Sequence, residues 1–158
     1  MTDPKYCVHV GYAKCGSSLL QQTLFSGAHP EIGVLSPDGA GSEGNYLKSG
    51  VDLFVPKLDG GRNIAPFWFD AKRARGGLAA STDGSKPVCV ISNEELAGHP
   101  FSGGIYAETI ARRIKLVTPE AKILIVFREQ RKMLLSAFAH FLERGGARCS
   151  LDRYLNSN

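Results

Sequence analysis

Residues Val10 to Leu20 read V-G-Y-A-K-C-G-S-S-L-L and directly follow a short apolar run that begins at Tyr6. A strand, a glycine-containing loop and a helix in this order turn backbone N–H groups toward a phosphate-like anion. In the nucleotide-hydrolase pattern G-x-x-x-x-G-K-[ST] the lysine follows the second glycine. Here Gly11 and Gly16 keep that spacing, but the lysine is Lys14, before Gly16. The stretch therefore predicts an anion cradle whose cation comes from inside the loop.

A second polar motif follows another apolar run. Residues 123–128 read I-L-I-V-F-R, and Ser136 lies 136 − 128 = 8 positions after Arg128, on a predicted helix. Arginine presents a planar fork of donors to phosphate and stays charged, and serine can add a hydroxyl donor. Two alternatives stay open: Arg128 forms a surface ion pair with Glu129 or Glu31, and Ser136 bonds a carbonyl of its own helix.

Together the two motifs resemble the sulfotransferases that use 3′-phosphoadenosine 5′-phosphosulfate (PAPS). In that family a loop close to G-x-x-K-x-G-[ST]-[ST]-x-L comes first, and a strand-ending arginine with a serine eight positions later follows. The resemblance implies that Lys14 neutralises the bridging oxygen and the 5′-phosphate, and that Arg128 and Ser136 hold the 3′-phosphate. It implies no metal. The residues it places around the 5′-phosphate are Cys15, Gly16, Ser17, Ser18 and Leu19. An exposed lysine beside a turn is the alternative for Lys14.

The segment after the third predicted strand supplies a candidate base. Ser92 to Leu96 read S-N-E-E-L, similar to an S-x-E segment in several sulfotransferase branches. Glu94 is the candidate that takes a proton from the acceptor. Favourable placement of Glu94 and Glu95 at a helix N-terminus explains both carboxylates equally well. His99 is a more distant alternative base, and His9 is interpreted as structural.

Strands are predicted at residues 6–10, 88–92 and 123–127, with a short one at 32–35. Helices are predicted at 17–26 with a serine cap, at 106–117, at 130–144 and from a Ser150 cap onward. Four apolar residues make the predicted core face of the 130–144 helix: Leu134, Phe138, Phe141 and Leu142. Because strands alternate with helices, the expected fold class is α/β, a P-loop-like parallel sheet with helices on both faces. Lys14, Glu94 and Arg128 should then share the carboxyl edge of the sheet.

The chain is expected to form one domain, residues 1–158, with a glycine-rich insertion at about residues 36–86. The insertion shows little periodicity, and in the family it would cover the acceptor site. Phe67, Trp68 and Phe69 either line that pocket or, the favoured interpretation, form a small separate core. No later segment matches the basic, glycine-containing loop of the family, so the domain is expected to be truncated at its C-terminal end.

Composition and charge limit the class of protein to which the chain can belong. Hydrophobic residues make up 43 % and charged residues 22 % of 158 residues, as in ordinary globular proteins. The net charge of +4 is too small and dispersed for a nucleic-acid surface. The N-terminus has no signal-peptide pattern, and no stretch approaches the ~20 apolar residues of a membrane helix. We therefore expect a soluble cytoplasmic protein. The four cysteines lack metal-ligand spacing, and Cys7 and Cys89 are expected as buried free thiols in strands.

Three functions remain open on sequence grounds. The first is sulfuryl transfer from PAPS to a hydroxyl or amine acceptor, a small molecule, a carbohydrate or a lipid. The second is a P-loop kinase or NTPase, against which the displaced lysine and the lack of a strand-ending aspartate for Mg²⁺ both count. The third is a non-catalytic nucleotide-binding fragment. The sequence leaves the oligomeric state open.

Overall fold

The computed structural model describes residues 5–12, 14–26, 29–35, 54, 69–82, 84–98, 104–143 and 149–156. Its strands are β1 (Lys5–Gly11), β2 (Ile32–Val34), β3 (Val88–Asn93) and β4 (Lys122–Val126). In the same residues the helices are α1 (Ser17–Gln22), α2 (Ala71–Ser81), α3 (Ala107–Val117), α4 (Gln130–Glu143) and α5 (Leu151–Leu155). A 3-10 turn, Glu94–Ala97, follows β3. The predicted α/β class is confirmed.

The four strands form one all-parallel sheet in the order β2-β3-β1-β4. The apolar cores of β1 and β3 make them the buried centre of the sheet, as parallel strands require. In the register His9 is opposite Ser92 and Val10 is opposite Asn93, while Gly11 is opposite Val126. The carboxyl ends of β1, β3 and β4 are therefore level, and the residues that follow them share one edge.

Side chains alternate across the sheet, and the two faces have different neighbours. One face packs against α2, α3 and residues 35 and 54; the buried members of this cluster are Val8, Leu35, Phe54, Ala74, Leu78, Cys89, Ile91, Leu96, Ile110, Ile114 and Val117. On the other face His9 contacts Phe25, with ring centroids 5.5 Å apart, and the Ser92 hydroxyl. The core of the described structure thus lies on the α2–α3 face.

Helix α2 corrects the sequence analysis, which placed residues 71–81 inside a weakly patterned insertion. The side chain of Asp70 accepts hydrogen bonds from the N–H groups of Lys72 and Arg73, so it caps the helix. Ala74 and Leu78, four positions apart, are its buried residues. Two adjacent glycines, Gly76 and Gly77, weaken the local helix signal. Packing of the Ala74–Leu78 stripe on α3 outweighs that weakness.

Three further sequence predictions are wrong in detail. Helix α1 ends at Gln22, not residue 26, and its N-cap is Gly16 with no side-chain cap, not a serine. Leu142, predicted to face the core, is exposed, and α4 has no buried residue. Within the described residues, the aromatic neighbour of Phe138 and Phe141 is Tyr154 of α5. Because few described elements pack on α4, an apolar stripe there does not imply burial.

Two residues of the insertion region join the main core. Phe54 is fully buried in the α2–α3 cluster, and Phe69 packs against the same cluster. Arg113 of α3, itself buried, donates to the Phe54 carbonyl at 3.1 Å and lies 4.7 Å from the centre of the Phe69 ring. Burial lowers the pKa of Arg113 from its ordinary value. The predictions for Phe67 and Trp68 lie outside the described residues.

Candidate functional site

The site lies where two chain connections diverge. After β1 the chain enters α1, on the face that carries His9, whereas after β3 it leads to α3, on the opposite face. Adjacent strands with diverging connections leave a crevice at their carboxyl ends, the usual ligand position in open parallel sheets. The glycine loop borders this crevice from β1, and Glu94 borders it from β3.

The backbone of the loop is held in uncommon conformations. Lys14 has φ 63° and Gly16 has φ 89°, both in the left-handed region. Glycine adopts this region freely, but for lysine it costs about 1 kcal/mol or more. The N–H of Cys15 donates to the Tyr12 carbonyl at 3.2 Å and closes a tight turn. Such strain in a non-glycine residue is common at functional sites.

Gly11 permits a close approach between the end of β1 and two side chains of the site. A Cβ atom built there would lie 2.5 Å from the Ser17 hydroxyl oxygen and 3.3 Å from Cγ of Glu94. Gly11 is itself buried. The glycine therefore lets Ser17 and Glu94 converge on one point of the backbone.

The Ser17 hydroxyl is a buried group without a described partner. Ser17 is 2 % exposed, and its Oγ forms no hydrogen bond to any residue that the structure describes. A buried hydroxyl without a partner is costly, so such groups commonly mark a place that a ligand or water completes. The first-turn N–H groups of α1, which include that of Ser17, also lack intrahelical acceptors.

Arg128 reaches the same loop from β4. Its Nη1 donates to the Lys14 carbonyl at 3.2 Å, across 114 positions of sequence. The alternative of an ion pair with Glu129 is not what the structure contains, because the Glu129 carboxylate accepts from the N–H groups of Arg131 and Lys132. The structure thus brings together the lysine and the arginine of the two sequence motifs.

The charged groups of the site have no counter-ions within the described part of the chain. There, the Lys14 ammonium and the Glu94 carboxylate form no hydrogen bond or ion pair, and Arg128 contacts the loop carbonyl only. Lys14 lies in the loop that Arg128 contacts, and the unpartnered Ser17 hydroxyl follows this loop by three residues. An arrangement of this kind favours an incoming anion.

The remaining predicted site residues are less closely connected. Cys15 is buried, Gly16, Ser18 and Leu19 are exposed, and the exposed fraction of Leu19 is 66 %. Ser136 is half-buried on α4, and no described hydrogen bond joins it to Arg128 or to the loop. His99 lies outside the described residues. Glu94 and Glu95 begin a 3-10 turn that the Asn93 side chain caps through the Glu95 N–H at 2.7 Å.

Two features of the site were missed by the sequence analysis. Tyr12 and Phe127, which follow β1 and β4, stack with ring centroids 5.7 Å apart. Gln21 of α1 donates to the Ser92 hydroxyl, which also bonds His9. Aromatic residues directly after two parallel strands signal the first feature, whereas nothing in the local sequence signals the second.

Three further observations concern metal ligands, cysteines and membrane helices. Within the described ranges, no group of three or more His, Cys, Asp or Glu side chains could hold a metal ion. All four cysteines are free, and burial raises the pKa of the Cys7 thiol. No helix among the described residues is long and apolar enough to cross a membrane.

Comparisons with known proteins add no relative. No family model matches the chain, and neither the curated proteins nor the solved structures contain a significant match.

Proposed function

We propose that the crevice binds the nucleotide PAPS and that the chain is a PAPS-dependent sulfotransferase. The single observation that supports this most is the Arg128–Lys14 contact, because it joins two motifs that were identified independently in the sequence. P-loop-like architecture, with the loop between β1 and α1, belongs to the same proposal. The cytoplasmic location expected from the sequence remains part of it.

The proposed binding mode follows from the charges. Lys14 and the first-turn N–H groups of α1 face the 5′-phosphosulfate, and the buried Ser17 hydroxyl gains the partner that it lacks among the described residues. Arg128 binds the 3′-phosphate, with Ser136 as a second donor. Two phosphate groups on one ligand account for two separate cationic residues better than one phosphate does.

The proposed reaction is an in-line displacement at sulfur. The acceptor oxygen or nitrogen forms a bond to sulfur while the bond from sulfur to the bridging oxygen breaks, and adenosine 3′,5′-bisphosphate leaves. The acceptor proton passes to the Glu94 carboxylate, and Lys14 stabilises the charge that develops on the leaving oxygen. Alignment and charge stabilisation supply the rate enhancement, as in phosphoryl transfer. The acceptor is a hydroxyl or amine of a small molecule, a carbohydrate or a lipid.

Calorimetric titration of the 158-residue chain with adenosine 3′,5′-bisphosphate, and separately with ATP and Mg²⁺, tests the proposal. We expect selective binding of the bisphosphate, weakened roughly ten- to hundredfold in Lys14→Ala and in Arg128→Ala, as for the loss of a hydrogen bond to a charged group. Arg112→Ala is the matched control, because Arg112 pairs on the surface with Glu108 at 3.4 Å.

Glu94→Gln separates the acceptor side from the cofactor side. It removes a negative charge beside a bound polyanion, so the bisphosphate should bind at least as tightly as before. Preferential binding of ATP·Mg²⁺ would favour the kinase or NTPase alternative. If circular dichroism shows that the chain is folded and it binds neither the bisphosphate nor ATP·Mg²⁺, the proposed cofactor site is contradicted.

A further inference from the structure

Three polar side chains, two of them buried and the third half-buried, form a hydrogen-bonded chain beneath the crevice, on the face of the sheet opposite the main core. His9 Nδ1 and Ser92 Oγ are 2.7 Å apart, and Gln21 Nε2 donates to the same Oγ at 3.2 Å. His9 is fully buried and Ser92 is 2 % exposed. A buried polar group is costly unless its hydrogen bonds are satisfied, so this chain needs a physical reason.

Each member lies on a different element that borders the crevice. His9 precedes Gly11 by two residues on β1, Ser92 precedes Glu94 by two residues on β3, and Gln21 lies on the helix that follows the loop. His9 and Ser92 are also direct partners in the sheet register. A displacement of any of the three elements would therefore lengthen at least one of these hydrogen bonds.

The donor and acceptor roles are consistent with a neutral imidazole. Ser92 Oγ accepts from Gln21 and can donate its own proton to His9 Nδ1, which uses both roles of the hydroxyl. His9 Nε2 then carries the ring proton and has no partner among the described residues. Burial lowers the pKa of His9, which favours the neutral ring.

Packing alone does not account for these residues. Replacement of both partners of a buried hydrogen bond by apolar groups of similar shape is often close to neutral for stability. Hydrogen bonds differ from apolar contacts in their direction, because they fix distances and angles between the elements that they join. The benefit of a polar chain at this position is therefore geometric.

We infer that His9, Ser92 and Gln21 are positioning residues, which hold the glycine loop and Glu94 at a fixed separation. The relevance of this separation to sulfuryl transfer rests on the proposed function. The hydrogen-bonded connection between the loop and Glu94 does not depend on it. The inference extends the site to residues that touch neither the cofactor nor the acceptor.

Amide hydrogen exchange on the unliganded chain tests the coupling directly. The Leu20 N–H, bonded to the Gly16 carbonyl, reports on the start of α1, and the Glu95 N–H, bonded to Asn93 Oδ1, reports on the turn that carries Glu94. In His9→Phe and in Ser92→Ala we expect both amides to exchange about tenfold faster or more, after correction for global stability. Ser92→Ala deletes a single oxygen and guards against misfolding of the bulkier variant.

Two further variants make the test specific. In His9→Asn the side-chain amide occupies the place of Nδ1, so it should restore slow exchange to within about threefold of the wild type. Tyr6→Phe is the matched control, because it removes a hydrogen bond of 3.3 Å to Thr82 at the other end of β1. It should leave the Leu20 and Glu95 amides unchanged.

The same variants are then titrated with adenosine 3′,5′-bisphosphate. We expect about tenfold weaker binding in His9→Phe and Ser92→Ala, and recovery in His9→Asn. Equal acceleration of exchange in Tyr6→Phe and His9→Phe, or no rescue by asparagine, would overturn the inference. A wild-type chain that binds no bisphosphate but shows the exchange pattern would contradict the proposed function alone.

Discussion

At the scale of single residues, Lys14 combines an unfavourable backbone conformation with the charge that the site needs. Its φ of 63° is one that glycine adopts without strain. The charge of the side chain gives a reason for a lysine at such a position, and this permits a test that separates charge from conformation.

Lys14→Gly should be as stable as the wild type or more stable by up to about 1 kcal/mol, because the left-handed strain is relieved. Lys14→Ala keeps the strain and should show no such gain. Both variants should lose bisphosphate affinity to a similar extent. Urea unfolding and calorimetric titration measure the two effects, and a glycine variant that binds normally would show that the ammonium has no role.

Gly11 is the second residue whose role is defined by contact distances. Gly11→Ala should destabilise the protein by about 1–3 kcal/mol, because the added methyl group meets the Ser17 hydroxyl at 2.5 Å and Cγ of Glu94 at 3.3 Å. Gly76→Ala is the control on α2, where the added Cβ has nothing within 4 Å. It should stabilise the helix by about 0.5–1 kcal/mol. Thermal unfolding of both variants distinguishes the cases, and equal effects would contradict the close approach.

At the scale of elements, β3 and β4 have similar apolar sequences but different environments. Four consecutive residues of β3, Cys89 to Ser92, are buried, whereas β4 is the edge strand and is largely exposed. Apolar runs of this length predict a strand but do not reveal its place in the sheet.

The difference in environment predicts different costs for the same truncation. Ile91→Ala should cost about 2–5 kcal/mol of unfolding free energy, because Ile91 is only 2 % exposed within the core cluster. Ile125, which is 42 % exposed, should lose no more than about 1 kcal/mol in Ile125→Ala. Denaturant titration of both variants gives these values. Similar losses at the two positions would mean that β4 is covered in solution.

At the scale of the whole molecule, His9 links folding to pH. Burial lowers its pKa in the folded state below the ordinary value of 6.5, so the unfolded chain binds the proton more readily. The contribution of neutral His9 to the free energy of unfolding is fully present above pH about 6.5. It is lost as the pH falls through the folded-state pKa.

We therefore expect the unfolding free energy of the wild type to fall between pH 7 and pH 5 more steeply than that of His9→Asn. Urea unfolding at several pH values checks this, and the comparison with His9→Asn isolates the contribution of His9. If the unfolding free energies of the two proteins depend on pH in the same way, His9 has the same affinity for protons in the folded and unfolded states.

The sequence by itself determined the local elements and both polar motifs. Glycine spacing around Lys14 predicted the strand, loop and helix, and the apolar run before Arg128 predicted β4, because these signals lie within about ten residues of one another. It failed at α2, where the adjacent Gly76 and Gly77 obscure a helix that packing on α3 stabilises, and at Leu142, where an apolar stripe is exposed.

Only the tertiary structure decided which distant residues meet. The strand order places β1 between β3 and β4, and this order puts Arg128 on the Lys14 carbonyl and His9 against Ser92. Residues that pair across the sheet can be more than eighty positions apart in sequence, as His9 and Ser92 are with a separation of 83. The packing of helices against the sheet determines which strands become neighbours. The local sequence of a strand does not indicate which strand it will pair with, because the alternation of its side chains is the same for any neighbouring strand.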